Sequence, residues 1–256
     1  MKVFYFSKRN LISIGIVCLL LVAFLALSFT YLSKMGIASR MNEPIYQGNT
    51  GKKVMAITVN VDWGEEYIPQ MLKIFDEHKA KVTFFVTGVW AEKHSEDLKM
   101  MAEKGHSIQN HGYKHVHFNS LSEQEAIKQI KKAEDIIFEH TGKRSEFFAS
   151  PYGEQNRQLM KAVSSINYDL VMWSIDTIDW QRPSPETITK RVINKLHNDA
   201  IILMHPTEPT VKALPSMLET IKEEGYQLVT INNIIIANDD KAKDKTKKAN
   251  NNDKKN

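Results

Sequence analysis

At 256 residues, with 42% hydrophobic and 25% charged side chains, the chain has the balance of an ordinary folded protein, which excludes disorder of the whole. The formal charge of +4 belongs to the two ends: residues 1–50 carry five Lys/Arg against one acid, and residues 237–256 seven Lys against four Asp, leaving the middle with 22 basic and 25 acidic side chains, a net of −3. A mildly acidic body argues against a nucleic-acid partner. The single cysteine, Cys18, excludes a disulfide framework or a cysteine-based zinc site within one chain.

Residues 1–10 read as a short basic N-terminus. From Leu11 to Leu32 the sequence is almost unbroken Leu, Ile, Val, Ala and Phe, about 22 residues, which predicts one helix able to span a ~30 Å hydrocarbon layer. Lys2, Lys8 and Arg9 precede it, so the N-terminus is expected in the cytoplasm and everything after Ser33 outside. The expectation is a single-pass protein of the cell membrane, anchored through residues 11–32. A cleaved signal peptide ending near Ala26-Leu27-Ser28 or Gly36-Ile37-Ala38 is the alternative. Residues 33–50 are polar and without periodicity and read as a linker.

The body, residues 51–236, alternates apolar runs with helical periodicity. Val54 to Val59 predicts a strand, and Tyr67 to His78, with Ile68, Met71, Leu72 and Phe75 at helical spacing, predicts the helix after it. Val82 to Val86 repeats the strand and Ser95 to Lys104 the helix. Ser122 and Glu125 form a capping box for a helix over residues 123–140, with Ile127, Ile130, Ala133 and Ile137 as its buried stripe. Further strands are expected at Phe147–Ala149, Leu170–Ile175, Ile201–Met204 and Leu228–Ile231. Ser184-Pro185 opens another helix, and Leu214 to Glu224, stopped by Gly225, is the last. Residues 237–256 are a Lys/Asn/Asp tail too polar to bury a core.

Apolar strands each followed by a helix indicate an α/β protein with a covered parallel sheet, and about seven units in this length fit a barrel better than an open sheet. Ligands then gather at the carboxyl ends of the strands. The unusual polar residues fall there. Asn60, Asp62 and Trp63 follow the first strand, His111 and His115 the third, Pro151 and Tyr152 the fourth, Asp176, Asp179 and Trp180 the fifth, and His205 the sixth. His111 and His115 have the spacing of a two-histidine metal half-site, a spacing that also arises on solvated helix faces.

Four of these stretches resemble the motifs of the polysaccharide deacetylases of the NodB-homology, carbohydrate-esterase-4 type. They are His111-Gly112-Tyr113-Lys114-His115, Ser150-Pro151-Tyr152-Gly153, Asp176-Thr177-Ile178-Asp179-Trp180 and Leu203-Met204-His205. The membrane-anchored form is similar to sporulation- and wall-associated proteins of Gram-positive bacteria. The resemblance implies a deformed (β/α)7 barrel, here preceded by a single transmembrane helix, that removes N-acetyl groups from a cell-wall polysaccharide, is expected as a monomer and uses one divalent metal, Zn2+ by default with Co2+, Ni2+ or Fe2+ as alternatives. It further implies His111, His115 and Asp62 as metal ligands, His205 oriented by Asp179 as the acid that protonates the leaving amine, the Tyr152 N–H at the oxyanion, and Trp63, Pro151, Trp180 and Leu203 as groove walls.

The first motif departs from the family's Thr-Phe-Asp-Asp. Without a gap Asn60 falls on the general base and Val61 on a metal ligand; with a one-residue insertion Asp62 takes the ligand position, and Asn60 still stands for the base. Ala149 replaces the arginine that holds the base. Two readings follow: a deacetylase whose base is Asp62, Glu65 or Glu66, or a catalytically impaired barrel that binds glycan or a wall partner.

Overall fold

The computed structural model describes residues 21–22 and 43–235. The chain divides into two compact units, Met1–Met41 and Asn42–Asn256, and the second holds the fold. Apart from Leu21 and Val22, both helical and exposed, the expected membrane span 11–32 lies outside the described residues, as do linker residues 33–42 and the tail 237–256. Among the described residues no helix is long and apolar enough to cross a membrane.

The organising strand is β1 (Val54–Val61). Its period-two pattern sends Met55, Ile57, Val59 and Val61 into the main apolar core under the helices, while Ala56 joins a second cluster on the other face. Asn60 therefore shares a face with Ala56 and Thr58 and comes out at the strand's carboxyl end. Around β1 lie β2 (Thr83–Val86), β3 (Ser107–Asn110), β4 (Phe147–Phe148), β5 (Asp169–Leu170), β6 (Ile175–Asp176), β7 (Ala200–Met204) and β8 (Gln227–Leu228). The order is β5-β4-β3-β2-β1-β7-β6, with β8 beside the start of β1, and every ladder is parallel. In this curled α/β half-barrel β5 and β6 are the end strands of the order.

The gap between those end strands is partly filled from the N-terminal side. The Ile45 amide donates to the Leu170 carbonyl and the Ile45 carbonyl accepts from Met172, each at 2.8 Å, while Gln47 forms an antiparallel bridge with Ala200. Thr50 Oγ1 and the Gly51 amide both donate to the Asp199 carboxylate, at 2.5 and 2.6 Å. Residues 45–50, read from sequence as the end of the linker, are thus hydrogen-bonded into the domain.

The covering helices are α1 (Ile68–Glu77), α2 (Gly88–Lys93), α3 (Ser95–Glu103), α4 (Glu123–Thr141), α5 (Arg157–Ser165), α6 (Pro185–Ile193), α7 (Glu208–Glu223) and α8 (Ile231–Ile234). Helix α4 carries the expected capping box, ends on Gly142 in the left-handed region, and buries Ile130, Ala133 and Ile137 with Ala126 and Ile136; Ile127 is only partly buried. Helix α7 starts at Glu208, six residues before the predicted start, because Thr207 caps it and Pro209 suits its first turn; Pro215 lies inside it. The stretch expected as one strand over Leu170–Ile175 is two short strands interrupted at Val171–Ser174, where Val171 keeps only an isolated bridge to Ile45.

Candidate active site

The carboxyl ends of the strands open into a cleft of about 560 Å³. Asn60 and Trp63 enter it from β1, His111 and His115 from β3, Tyr152 from β4, Asp176 and Trp180 from β6, and Leu203 and His205 from β7. Asp62 and Pro151, also expected there, do not line it: Asp62 is half-buried and its Oδ1 accepts from the Thr87 hydroxyl at 2.7 Å, and Pro151 is buried under the Tyr152 turn. Trp173, which the sequence reading did not single out, does line it. It lies within a continuous apolar run, where nothing in sequence separates a cleft wall from a core residue.

His205 and Asp179 form the best-defined pair. Asp179 is fully buried; its Oδ1 accepts from His205 Nδ1 at 2.8 Å, and its Oδ2 accepts from the His205 backbone amide at 2.7 Å and the Thr210 hydroxyl at 2.6 Å. With Nδ1 committed to a carboxylate, Nε2 is the imidazole nitrogen available to a ligand. The turn that presents Asp179 is strained, with Ile178 at φ 51° and Arg182 at φ 52°, and it is tied down by Arg191 Nη1 donating to the Thr177 carbonyl at 2.7 Å.

His111 is buried, and its Nδ1–H donates to the Ala149 carbonyl at 2.7 Å, which leaves Nε2 as a bare lone pair. Burial, and then the neighbouring His115, push its pKa down to about 3, so it is neutral at physiological pH. His115 is also lowered, chiefly by burial and against the charge of Asp62. The two rings stand 5.2 Å apart at 66°. Asn110 fixes this turn: its Nδ2 donates to the Ile130 carbonyl and its Oδ1 accepts from the Gly112 amide, both at 2.8 Å. Neutral imidazoles with free nitrogens are the form a metal binds. The third donor is what fails, because Asp62 turns to Thr87, and no three His, Cys, Asp or Glu side chains gather as a metal site among the described residues. The donor set therefore does not fit a closed three-ligand centre.

Aromatic rings form the rim. Trp63 lies parallel to His205, ring centroids 6.1 Å apart and 7° between planes, and is 39% exposed; Trp180 is 55% exposed. Tyr152, 59% exposed with φ 60°, sets its ring edge-on to His115 at 4.5 Å and stacked on His117 at 4.2 Å. At the floor Asn60 is 7% exposed and its Oδ1 has no hydrogen-bond partner. Ala149 is buried against Phe85, Phe147 and Ile201. Such a cleft can stack flat rings on its aromatic rim and offers a positioned imidazole beside the apolar wall of Leu203; it has no carboxylate at Asn60 to take a proton from water.

Comparison with known proteins agrees with this geometry. A family model described as polysaccharide deacetylase matches residues 47–171. An uncharacterized Bacillus subtilis protein, YlxY, is 38% identical over 199 residues, 78% of this chain; the chain spans 62% of that relative's length. A peptidoglycan-N-acetylglucosamine deacetylase of Bacillus cereus is 33% identical over 191 residues, 73% of this chain and 70% of its own. Among solved structures, a CE4 family pseudoenzyme from Bacillus anthracis superimposes with a TM-score of 0.73 at 37% identity, covering 75% of this chain and 68% of that one. A mutant of that pseudoenzyme described as having restored enzymatic activity gives a TM-score of 0.73 at 35% identity, covering 75% and 71%.

Proposed function

Because the chain belongs to the polysaccharide deacetylase family, we propose that its domain binds N-acetylated cell-wall glycan of the peptidoglycan type and retains the acid half of deacetylation while lacking the base half. The observation that carries this reading is Asn60, a neutral carboxamide at the floor of the cleft where the family's first motif has its base.

Deacetylation adds water to the acetamide carbonyl, then breaks the carbon–nitrogen bond as the amine takes a proton, giving acetate and a free amino sugar. His205, whose Nδ1 is held by Asp179, would give that last proton from Nε2. The first step needs a group to accept the water's proton, and an amide does not do so at neutral pH. Loss of such a base costs roughly 10²–10⁴ in rate. Ala149 fits the same loss, since an arginine there without a carboxylate partner would be a buried unpaired charge.

His111 and His115 are the imidazoles a divalent ion, zinc or one of its neighbours, would meet, but with Asp62 bonded to Thr87 they lack a third donor among the described residues, and no step of the proposal runs through a metal. Asp62 favours a second reading, a working hydrolase with Asp62 as base, because its charge already acts on His115. Glu65, another carboxylate considered for that role, does not line the cleft and sits 4.0 Å from His94. The same proposal tethers the domain to the outer face of the cell membrane through residues 11–32, as the Lys2, Lys8 and Arg9 flank supports. The test is co-sedimentation with purified peptidoglycan together with acetate release, for the wild type and His205→Ala. Retention with little or no acetate supports the proposal. Rapid release abolished in His205→Ala favours the second reading, and neither retention nor release rejects both.

A further inference from the structure

We infer that the amino-end face of the half-barrel, opposite the cleft, docks the domain on an anionic phospholipid surface. The inference rests on the membrane-tether reading above and names the part of the domain that meets the bilayer.

Every ladder is parallel, so the loops that run from a helix back into a strand gather at one end of the sheet. Those loops, residues 51–53, 78–82, 104–106, 142–146, 166–168, 194–199 and 224–226, are basic. Lys52 and Lys53 precede β1, Lys79 and Lys81 β2, Lys104 β3, Lys143 and Arg144 β4, and Lys195 β7, against three acids, Glu146, Asp199 and Glu224. The loops around the cleft, residues 62–67, 111–122, 149–156, 177–184 and 205–207, carry five acids and two basic side chains. A body that is mildly acidic in total thus turns a face of net charge +5 away from its cleft and one of −3 toward it.

Most of that positive charge is open to a partner. Asp199 is buried, its carboxylate taken by Thr50 and Gly51, and Asp76 neutralises part of the edge by pairing with Lys81 and Lys104. Arg144 is shared with Glu134 at 3.3 Å. Lys52, Lys53, Lys79, Lys143 and Lys195 are exposed, and none is held in an ion pair among the described residues. Lys143 and Arg144 line a recess of about 520 Å³ together with Gly105, Asn232 and Asn233. Single surface lysines attract weakly, but a cluster on one face sums its attraction to a layer of phosphates.

The course of the chain favours a bilayer over a soluble polyanion. Helix α8 closes this end of the sheet: its Ile231 amide donates to Thr83 Oγ1 at 2.9 Å, and Asn232 Oδ1 accepts from Ser107 Oγ at 2.8 Å. The Asn49 amide donates to the Ile234 carbonyl at 2.9 Å, and a Cβ on Gly48 would lie 2.6 Å from that oxygen. The lead-in from the apolar run 11–32 and the lead-out to the lysine-rich residues 237–256 therefore meet the domain at one spot on its basic face. Docked there, the domain turns its cleft away from the lipid.

The test is reductive methylation of lysines, read residue by residue by mass spectrometry. The full-length chain is reconstituted at pH 7 in vesicles of phosphatidylcholine alone or with about one third phosphatidylglycerol. Labelling of Lys52, Lys79, Lys143 and Lys195 is measured relative to Lys114, which is exposed on the cleft side. The four should be protected at least roughly threefold in the anionic vesicles, and ~0.5 M salt should remove the protection. Lys79→Glu, Lys143→Glu and Lys195→Glu together should expose Lys52 again; if that variant does not fold, the salt response of the wild type decides. Equal relative labelling on both vesicles, with the chain retained by both, overturns the inference and leaves the tether standing. Flotation with anionic but not neutral vesicles, with the same lysines protected, supports the face and rejects the tether, and flotation with neither rejects both. Protection by soluble poly(glycerol phosphate) and none on anionic vesicles assigns the face to a polymer and overturns the inference.

Discussion

Asp179 grips His205 at two points, its Oδ1 on the imidazole Nδ1 at 2.8 Å and its Oδ2 on the backbone amide at 2.7 Å. One buried carboxylate thereby sets both the rotamer of the ring and the path of the chain behind it, and Thr210 donates a third hydrogen bond to the same group. The pair is complete even though the base position opposite it holds Asn60.

Asp179→Ala should therefore destabilise the domain by about 2–4 kcal/mol, because it orphans the His205 amide in a buried place and leaves the Thr210 hydroxyl only its bond with the Thr207 hydroxyl. Asp179→Asn keeps the volume and part of the bonding and should cost less. Urea denaturation of the three proteins checks the order.

Gly64 has φ 83°, and a Cβ added there would lie 2.3 Å from the Pro206 carbonyl oxygen, which is backbone and cannot swing aside. Gly64→Ala should lower stability by about 1–3 kcal/mol and push Trp63 off the face of His205. A shift of the Trp63 fluorescence, isolated by replacing the other tryptophans with Phe, would accompany the loss in a denaturation curve.

His106 supplies a pH dependence unconnected with the cleft. Its Nδ1 accepts from the Val82 amide at 3.2 Å, its ring packs edge-on to Phe75 and Phe84, and burial first, then Lys81 and Lys104, push its pKa from 6.5 down to about 4. A folded-state pKa below the unfolded value means that the unfolded chain takes the proton more readily. The contribution is fully present above pH 6.5 and is lost as pH falls through about 4, worth on the order of 3 kcal/mol. Imidazole NMR should place the native midpoint near 4, and the unfolding free energy should fall across that window.

Ser122→Ala removes the side-chain half of the α4 capping box, in which Ser122 Oγ accepts from the Glu125 amide and donates to the Glu125 carboxylate, while the backbone amide of residue 122 can still donate to that carboxylate. A loss of about 1 kcal/mol is expected, measurable by thermal unfolding.

The sequence carried the long features well and the short ones poorly. Strand β1 and helix α4 are eight and nineteen residues long, so hydrophobic period and capping chemistry accumulate enough signal to place them. Helix α2 has six residues and was not anticipated, since one turn and a half leaves only Trp90 and Ala91 as a buried face. The split between β5 and β6 was hidden because Met172 and Trp173 are as apolar as the strands they separate. Pairing of Ile45 with Val171 depends on residues more than a hundred positions apart, and local polarity gives no sign of it. Within the site, chemistry-bearing residues at strand ends were legible; the turn of Asp62 toward Thr87 was not, because spacing tells which side chains come near and not which partner wins.

Acetate release from N-acetylglucosamine oligomers, with zinc or cobalt supplied, by the wild type and by the Asn60→Asp, Ala149→Arg double variant tests the central claim most directly. The new carboxylate restores a proton acceptor and the arginine gives it a buried partner, so the double variant should release acetate at least about 10²-fold faster than the wild type. A wild type that already matches the double variant would contradict the account and move the base to Asp62.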